Sequence, residues 1–136
     1  MIRILIDTQA LIWFALDDAS LSSSARSLIL DPSNERSVSL ASIWEMAIKI
    51  ARGKLDLVSN LRGSTALNTF VNFLPANDIA LLPIVAEDAI AVSDFPYYVD
   101  HKDPFDRLIA AQCLRHDLTL ISVDQAFDRY GVRRAW

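Results

Sequence analysis

The sequence predicts an α/β fold in which a short parallel β-sheet carries helices on both faces. Short apolar segments of strand length alternate along the chain with longer segments of helical periodicity, an alternation typical of a parallel sheet. The apolar runs are almost uninterrupted, so we expect strands that are buried on both sides. The length of 136 residues and the hydrophobic content of 52% predict one domain spanning residues 1–136.

In the first half of the chain the predicted order is strand, helix, helix, strand and helix. These elements are assigned to residues 2–6, 8–16, 22–30, 37–40 and 42–52. The first strand is apolar apart from Arg3, and the helix after it is apolar almost all round, which favours burial. Asp31 and Pro32 end the second helix, and Gly53 stands where a left-handed residue is expected to close the third.

The second half continues with helix, strand, short helix, long helix, strand, short helix and edge strand. These elements are assigned to residues 60–74, 79–82, 86–93, 104–114, 119–123, a few residues after 124, and 132–135. The long helix has the clearest start in the chain, because Asp103 is a capping carboxylate and Pro104 occupies the first helical position.

Four acidic residues follow predicted strands or lie in the first turn of the next helix: Asp7, Glu45, Asp106 and Asp124. Ligands of open parallel sheets bind at the carboxyl ends of the strands, and right-handed crossovers place these ends on one edge. We therefore expect the four carboxylates to converge. A cluster of this kind is stable only when it is partly protonated or holds metal ions. The pattern points to a hydrolase that uses a divalent metal.

Three of the acids also have simpler explanations. Asp7 and Asp124 are well placed to cap the helices that follow them. Glu45 lies three residues after Ser42, as in a capping box, and four residues before Lys49, as in an ion pair worth about 0.2–0.5 kcal/mol. For Glu45 the structural and the metal-binding interpretations are equally well supported.

Asp106 is harder to explain as a structural residue. It shares a helix face with Ile109, Ala110 and Cys113, and Asp103 already supplies the helix cap. A carboxylate on an inward face must be paired, hydrogen-bonded or bound to metal, because burying a lone charge costs several kcal/mol. Cys113 itself is expected to be a core residue rather than a nucleophile.

Serine and histidine are two further residue types that bear on the site. Ser122, two residues before Asp124, is expected either to orient a carboxylate or a metal-bound water, or to bond the backbone. His101 and His116 are fifteen residues apart without a cysteine or another histidine at ligand spacing, so neither is predicted to bind metal.

The net charge of −4 argues against general affinity for nucleic acid, but it does not exclude an enzyme that handles phosphates through bound cations. The three glycines form no phosphate-binding loop. The mean hydropathy of +0.25 is high, and we expect apolar residues such as Trp13, Phe14 and Trp44 to serve a homodimer or a partner. The apolar runs are too short to cross a membrane, there is no signal-peptide pattern, and one cysteine forms no internal disulfide, so we predict a cytoplasmic protein.

Several segments together resemble the PIN-domain ribonucleases, in particular the toxins of VapBC-type toxin–antitoxin pairs. They are IDTQALIW at 6–13, SIWEMAIK at 42–49, GKL at 53–55, HKDPFDRL at 101–108 and SVD at 122–124. The resemblance covers nearly the whole chain and implies a parallel sheet flanked by helices, an RNA substrate and a small antitoxin partner. Gln9 departs from the resemblance, since histidine is frequent at this position.

The resemblance also implies roles for the four acids. Asp7, Asp106 and Asp124 would hold one or two Mg²⁺ or Mn²⁺ ions, and Glu45 would bind metal directly or through water. Asp103 and Ser122 would support these acids. The candidates for contacts with RNA phosphates are the bases nearest the motifs, Lys49, Arg52, Lys54 and Arg107.

The sequence also bears on three alternatives to a ribonuclease. A DNA nuclease would use the same metals, and a PIN-like module that binds RNA or protein without cleavage would keep the fold. A phospho-acceptor signalling domain needs a lysine after a late strand, where this chain has Asp124, which disfavours it.

Overall fold

The computed structural model describes all 136 residues and contains one sheet of five strands. The strands are Arg3–Ile6 (β1), Glu35–Ser39 (β2), Ile79–Leu82 (β3), Thr119–Ile121 (β4) and Arg134–Ala135 (β5). Every pairing is parallel, and the spatial order is β3-β2-β1-β4-β5. The predicted α/β class and parallel sheet are confirmed, including the edge strand at the end of the chain.

Six α-helices and two 3-10 helices connect the strands. The α-helices are Thr8–Ala15 (α1), Ser23–Leu30 (α2), Leu40–Ala51 (α3), Gly63–Ala76 (α4), Ala86–Ala91 (α5) and Pro104–His116 (α6). The 3-10 helices are Val92–Asp94 and Gln125–Tyr130. None of the helices combines the length and the apolar character needed to span a membrane.

The sheet separates two hydrophobic cores, as expected for strands that are buried on both faces. In β1, Ile4 and Ile6 belong to a core that also contains residues of α1, α2, α3 and α4. Leu5 points to the opposite core, which is formed mainly by α6 and the second 3-10 helix. Cys113 lies in this second core, where burial raises its pKa to about 12, so its thiol is a packing group as predicted.

Trp13 and Phe14, which were expected to contribute apolar surface, instead pack partly buried against the first core. Trp13 contacts the ring of Trp136, with the two centroids 5.8 Å apart. Trp44 does lie on the surface with 58% exposure, and its ring meets the edge of Phe105 at 5.0 Å.

The start of α3 differs from the prediction. The helix begins at Leu40, which was assigned to the preceding strand, and its cap is Ser39, whose hydroxyl accepts a hydrogen bond from the Ala41 N–H. The predicted capping box between Ser42 and Glu45 is therefore wrong. Ser42 lies inside the helix, fully buried, where its hydroxyl accepts a hydrogen bond of 2.8 Å from the Thr8 hydroxyl. This bond ties α3 to α1 beside the end of β1.

Other boundaries shift by a few residues. Asn60 has a φ of +66° and Arg62 is extended, so α4 begins at Gly63 rather than at residue 60. Gly53 has a φ of +67° directly after α3, which confirms the predicted left-handed closure of that helix.

The neighbouring strands β1 and β4 set up the edge on which the acids lie. They pair in parallel with Leu5 opposite Leu120 and Ile6 opposite Ile121. The next residues, Asp7 and Ser122, consequently leave the sheet side by side.

Candidate active site

Asp7 follows β1 and is 92% covered from solvent. One carboxylate oxygen accepts a hydrogen bond of 2.8 Å from the Thr8 N–H, so the residue does cap α1. The other oxygen accepts a hydrogen bond of 2.8 Å from the Ser122 hydroxyl. Burial nevertheless raises the pKa of Asp7 to about 6, and the charges of Glu45 and Asp124 add to the increase.

Ser122 links two of the acids. Its side chain is fully buried and donates to Asp7, while its oxygen accepts a hydrogen bond of 3.1 Å from the Asp124 N–H. The hydroxyl therefore makes both contacts that the sequence left open, one to a carboxylate and one to the backbone. Asp124 in turn caps the 3-10 helix after it by accepting a hydrogen bond from the Ala126 N–H.

Asp106 reaches the same edge from the first turn of α6. Asp103 caps this helix and accepts hydrogen bonds from the N–H groups of Phe105 and Asp106. The Asp106 carboxylate is only 19% exposed, and its single side-chain partner is His101 at 3.2 Å. Burial, followed by the charges of Asp103, Asp7, Glu45 and Asp124, raises the pKa of Asp106 to about 8.

Glu45 projects from the middle of α3 and is 13% exposed. One carboxylate oxygen lies 3.4 Å from the Lys49 ammonium, as expected for the i,i+4 pair. Glu45 therefore has both features that the sequence left open. It pairs with Lys49, and its charge also acts on Asp7 and Asp106 as a member of the acidic cluster.

All four acids line one open cavity of about 360 Å³. Its lining consists of Asp7, Thr8, Gln9, Glu45, Lys49, Asp103, Asp106, Val123 and Asp124. Five carboxylates face one cation, and two of the carboxylates have pKa values well above their ordinary range. Mg²⁺ and Mn²⁺ prefer hard oxygen ligands, and the negative charges in this lining outnumber the positive one. These residues therefore fit a divalent metal.

His101 also lies at this site, although the sequence assigned it no role there. Its ring nitrogen and one carboxylate oxygen each from Asp106 and Asp124 lie within 4.8 Å of one another. Asp7 and Glu45 do not belong to this tightest group. The available signal was the position of His101 five residues before Asp106, within the HKDPFDRL segment. His116 instead bonds the Asp88 carboxylate at 3.1 Å.

The basic candidates occupy different positions. Lys49 is the one cation in the cavity lining, whereas Arg52 and Lys54 are exposed residues at and beyond the end of α3. Arg107 stays outside the lining and donates to the Pro96 carbonyl, with its guanidinium 5.9 Å from the Tyr97 ring. The structure therefore brings one of the four bases to the acids.

A comparison with protein families decides the classification. The sequence model of the PIN-domain family matches residues 4–133. This chain belongs to the PIN-domain family. The matched residues include all four acids. No curated protein matches the sequence.

Solved structures have the same fold as this PIN domain. VapBC2 from Rickettsia felis, bound to a DNA fragment from its promoter, superposes with a TM-score of 0.69 at 12% identity, covering 99% of this chain and 98% of the other. FitAB bound to the IR36 DNA fragment gives 0.64 at 22% identity, covering 97% and 93%. FitAcB from Neisseria gonorrhoeae gives 0.59 at 22% identity, covering 96% and 95%.

Proposed function

We propose that this PIN-domain protein is an endoribonuclease that depends on Mg²⁺ or Mn²⁺ and acts as the toxin of a toxin–antitoxin pair. The observation that carries the proposal is the meeting of Asp7, Glu45, Asp106 and Asp124 around one cavity. The raised pKa values of Asp7 and Asp106 support it, because carboxylates with strongly perturbed pKa values in a cleft are typical of functional sites.

Each acid has a distinct task in this proposal. Asp7 is the central ligand, because it is rigidly held by Thr8 and Ser122. Asp106 and Asp124 complete the metal site, and Glu45 binds metal directly or orients the attacking water. One or two bound ions would supply an activated water and stabilise the charge on the leaving oxygen.

The supporting residues fix these acids in place. Ser122 joins the end of β1 to the end of β4 through its bonds to Asp7 and Asp124. Asp103 holds the first turn of α6 by its two backbone contacts and adds negative charge beside Asp106. Asp7 and Asp106 therefore need little reorganisation to bind a cation.

The substrate in this proposal is single-stranded or looped RNA, since the cavity is open and the backbone must reach the acids. Lys49 would contact the phosphate nearest the site of cleavage. Arg52, Lys54 and Arg107, which lie outside the cavity lining, would contact phosphates further along the strand.

A partner protein is the second part of the proposal. The VapBC2 and FitAB structures are toxin–antitoxin complexes, and the fold of this chain matches them over nearly the full length. We infer a small antitoxin that covers the cavity, a homodimer that buries exposed apolar residues such as Trp44, and action in the cytoplasm, where RNA is accessible.

The experiment is cleavage of a mixed pool of single-stranded RNA by the purified protein, with a parallel pool of single-stranded DNA. Reactions contain Mg²⁺, Mn²⁺ or a chelator, and each is repeated with Asp7→Asn. The matched control is Asp56→Asn, at an exposed position outside the cavity. We expect metal-dependent cleavage of RNA by the wild type and by Asp56→Asn only.

Three outcomes would contradict the proposal. Equal cleavage by Asp7→Asn would exclude this cavity as the source of activity. Cleavage confined to DNA would make the protein a DNA nuclease. No cleavage of either pool by folded, metal-bound protein would favour a module that binds without cleaving.

A further inference from the structure

The imidazole of His101 lies between a phenol and a carboxylate. Its Nδ1 is 2.7 Å from the Tyr130 hydroxyl, and its Nε2 is 3.2 Å from one oxygen of Asp106. The side chain is only 10% exposed, and the ring also packs against Phe127 with centroids 6.2 Å apart. His101 is therefore held on both sides, and its orientation is fixed by contacts from α6 and from the second 3-10 helix.

The donors and acceptors of this chain of contacts are complementary. An Asp106 that binds a cation is ionised and only accepts hydrogen bonds, so in that state the proton of a neutral imidazole belongs on Nε2. Nδ1 then accepts from the Tyr130 hydroxyl. Tyr130 is 6% exposed, and burial raises its pKa, which keeps the phenol a donor at neutral pH. The order Tyr130, His101, Asp106 thus gives both ring nitrogens and the phenol a hydrogen-bond partner.

We propose that His101 is a positioning residue that orients the Asp106 carboxylate for metal binding, and that Tyr130 fixes the imidazole that does so. The inference deepens the proposed function and rests on its metal site. Asp106 has no other side-chain partner, whereas Asp7 has Ser122. Each of these two acids is therefore held by one polar side chain that arrives from a different part of the fold.

Direct ligation of the metal by His101 is the competing arrangement. The ring nitrogen is close enough to Asp106 and Asp124 for a shared ion. The hydrogen-bonded arrangement is favoured because the Nε2–Oδ2 distance of 3.2 Å and the Tyr130 contact already account for both ring nitrogens. The two arrangements predict different results for the same set of variants.

The test is calorimetric titration of Mn²⁺ into the metal-free protein, with no RNA present. His101→Gln and His101→Asn form a matched pair. The Gln amide nitrogen is as many bonds from the backbone as Nε2 and can donate to Asp106, whereas the Asn nitrogen corresponds to Nδ1 and stops short. His116→Gln is the control, because His116 bonds Asp88 outside the cavity.

We expect His101→Asn to weaken Mn²⁺ binding by about 10- to 100-fold, the usual effect of removing a hydrogen-bond partner of a metal ligand. His101→Gln should recover most of this loss, and His116→Gln should bind like the wild type. Tyr130→Phe removes a single oxygen and should weaken binding less than His101→Asn. Circular dichroism of each variant confirms that it is folded.

Any of four results would overturn the inference. The first is an equal Mn²⁺ affinity of the His101→Gln and His101→Asn variants, and the second is an unchanged Mn²⁺ affinity in both His101→Asn and Tyr130→Phe. The third is no binding of Mn²⁺ by the wild type. The fourth is a nitrogen directly bound to Mn²⁺ in pulsed electron paramagnetic resonance. If His101→Asn does not fold, the Gln and Tyr130→Phe variants decide. Because affinity is measured without RNA, an absence of RNA cleavage would remove the proposed function while leaving the positioning role intact.

Discussion

Two buried groups of polar residues in this protein shift the pKa values of their carboxylates in opposite directions. Asp88 is fully buried between α5 and α6, where it accepts hydrogen bonds from the Val85 N–H, Gln112, Arg115 and His116. Burial alone would raise the pKa of Asp88, but these bonds outweigh it and lower the pKa. In the acidic cavity, burial and like charge prevail, and the pKa values of Asp7 and Asp106 rise to about 6 and about 8.

The difference shows that the partners of a buried acid, rather than its burial, indicate its task. Asp88 has a donor for each oxygen and one full positive charge beside it, so it stabilises the fold without any ligand. Asp7 also has a donor for each oxygen, but neither Asp7 nor Asp106 has an arginine or lysine partner, and the cavity acids repel one another. They remain costly to the fold until a cation arrives, as expected of a binding site.

The largest expected effect concerns Asp88. We predict that Asp88→Asn lowers the free energy of unfolding by about 3 kcal/mol, because it removes the partner of Arg115 and leaves part of the network unpaired. Urea denaturation followed by circular dichroism measures this change. A loss below 0.5 kcal/mol, the range of ordinary surface substitutions, would remove the contrast between the two regions.

The corresponding change in the cavity should act in the opposite direction. Without metal, Asp106→Asn is expected to increase the free energy of unfolding at pH 8.5 by about 1–2 kcal/mol, because it removes one buried charge from a group of like charges. The same urea experiment in chelator measures it. A destabilised Asp106→Asn protein would mean that Asp106 is as well paired as Asp88.

The pH dependence separates the two regions further. The folded-state pKa values of Asp7 and Asp106 lie above the ordinary value of 3.8, so the folded protein binds more protons than the unfolded chain. Stability without metal should therefore fall as the pH rises from about 4 to about 8. Asp88 has a lowered pKa, so its contribution to the stability of the fold is complete above pH 4 and is lost in more acidic solution.

Unfolding free energies measured in chelator between pH 4.5 and 8.5 test this difference. In Asp106→Asn, the free energy of unfolding should change less with pH near pH 8, because the wild-type Asp106 carboxyl loses its proton in that range. A wild-type curve that rises with pH throughout the range would contradict the raised pKa values.

The smallest effect concerns RNA contacts. Lys49 lines the cavity, so Lys49→Gln should reduce the slope of log affinity against log salt by about 0.7, the value for one phosphate of a single strand. Fluorescence anisotropy with the catalytically impaired Asp7→Asn background measures the slope. Arg133→Gln is the control, since Arg133 lies near Met1 and Ile2, at the amino-terminal edge of the sheet. Equal slopes for both variants would remove Lys49 from the RNA contact.

Much of the fold could be predicted because its signals are local. The apolar runs before Asp7 and Asp124 predicted β1 and β4, and Asp103 with Pro104 predicted the start of α6. The start of α3 could not be predicted in the same way. Ser39 and Ser42 are equally good capping residues, and the choice depends on where β2 leaves the sheet and on the buried contact of Ser42 with Thr8.

In the candidate site, too, the residues with local sequence signals could be predicted and those that depend on distant contacts could not. The acids could be found because each follows a strand or starts a helix, and parallel topology brings such positions together. The role of His101 could not, because Tyr130 is 29 residues away and only the folded chain shows their contact. The Asp88 network was likewise hidden, since its side-chain partners lie 24 to 28 residues along the chain.

The most direct test of the central claim, that these acids form a divalent-metal site, is the melting temperature of the metal-free protein as Mn²⁺ is added. Wild type and the Asp56→Asn control should be stabilised, by about 2.7 kcal/mol when Mn²⁺ reaches one hundred times its dissociation constant. Asp7→Asn should lose most of this response. A wild-type melting temperature that stays constant at saturating Mn²⁺, or an equal increase in Asp7→Asn, would contradict the account.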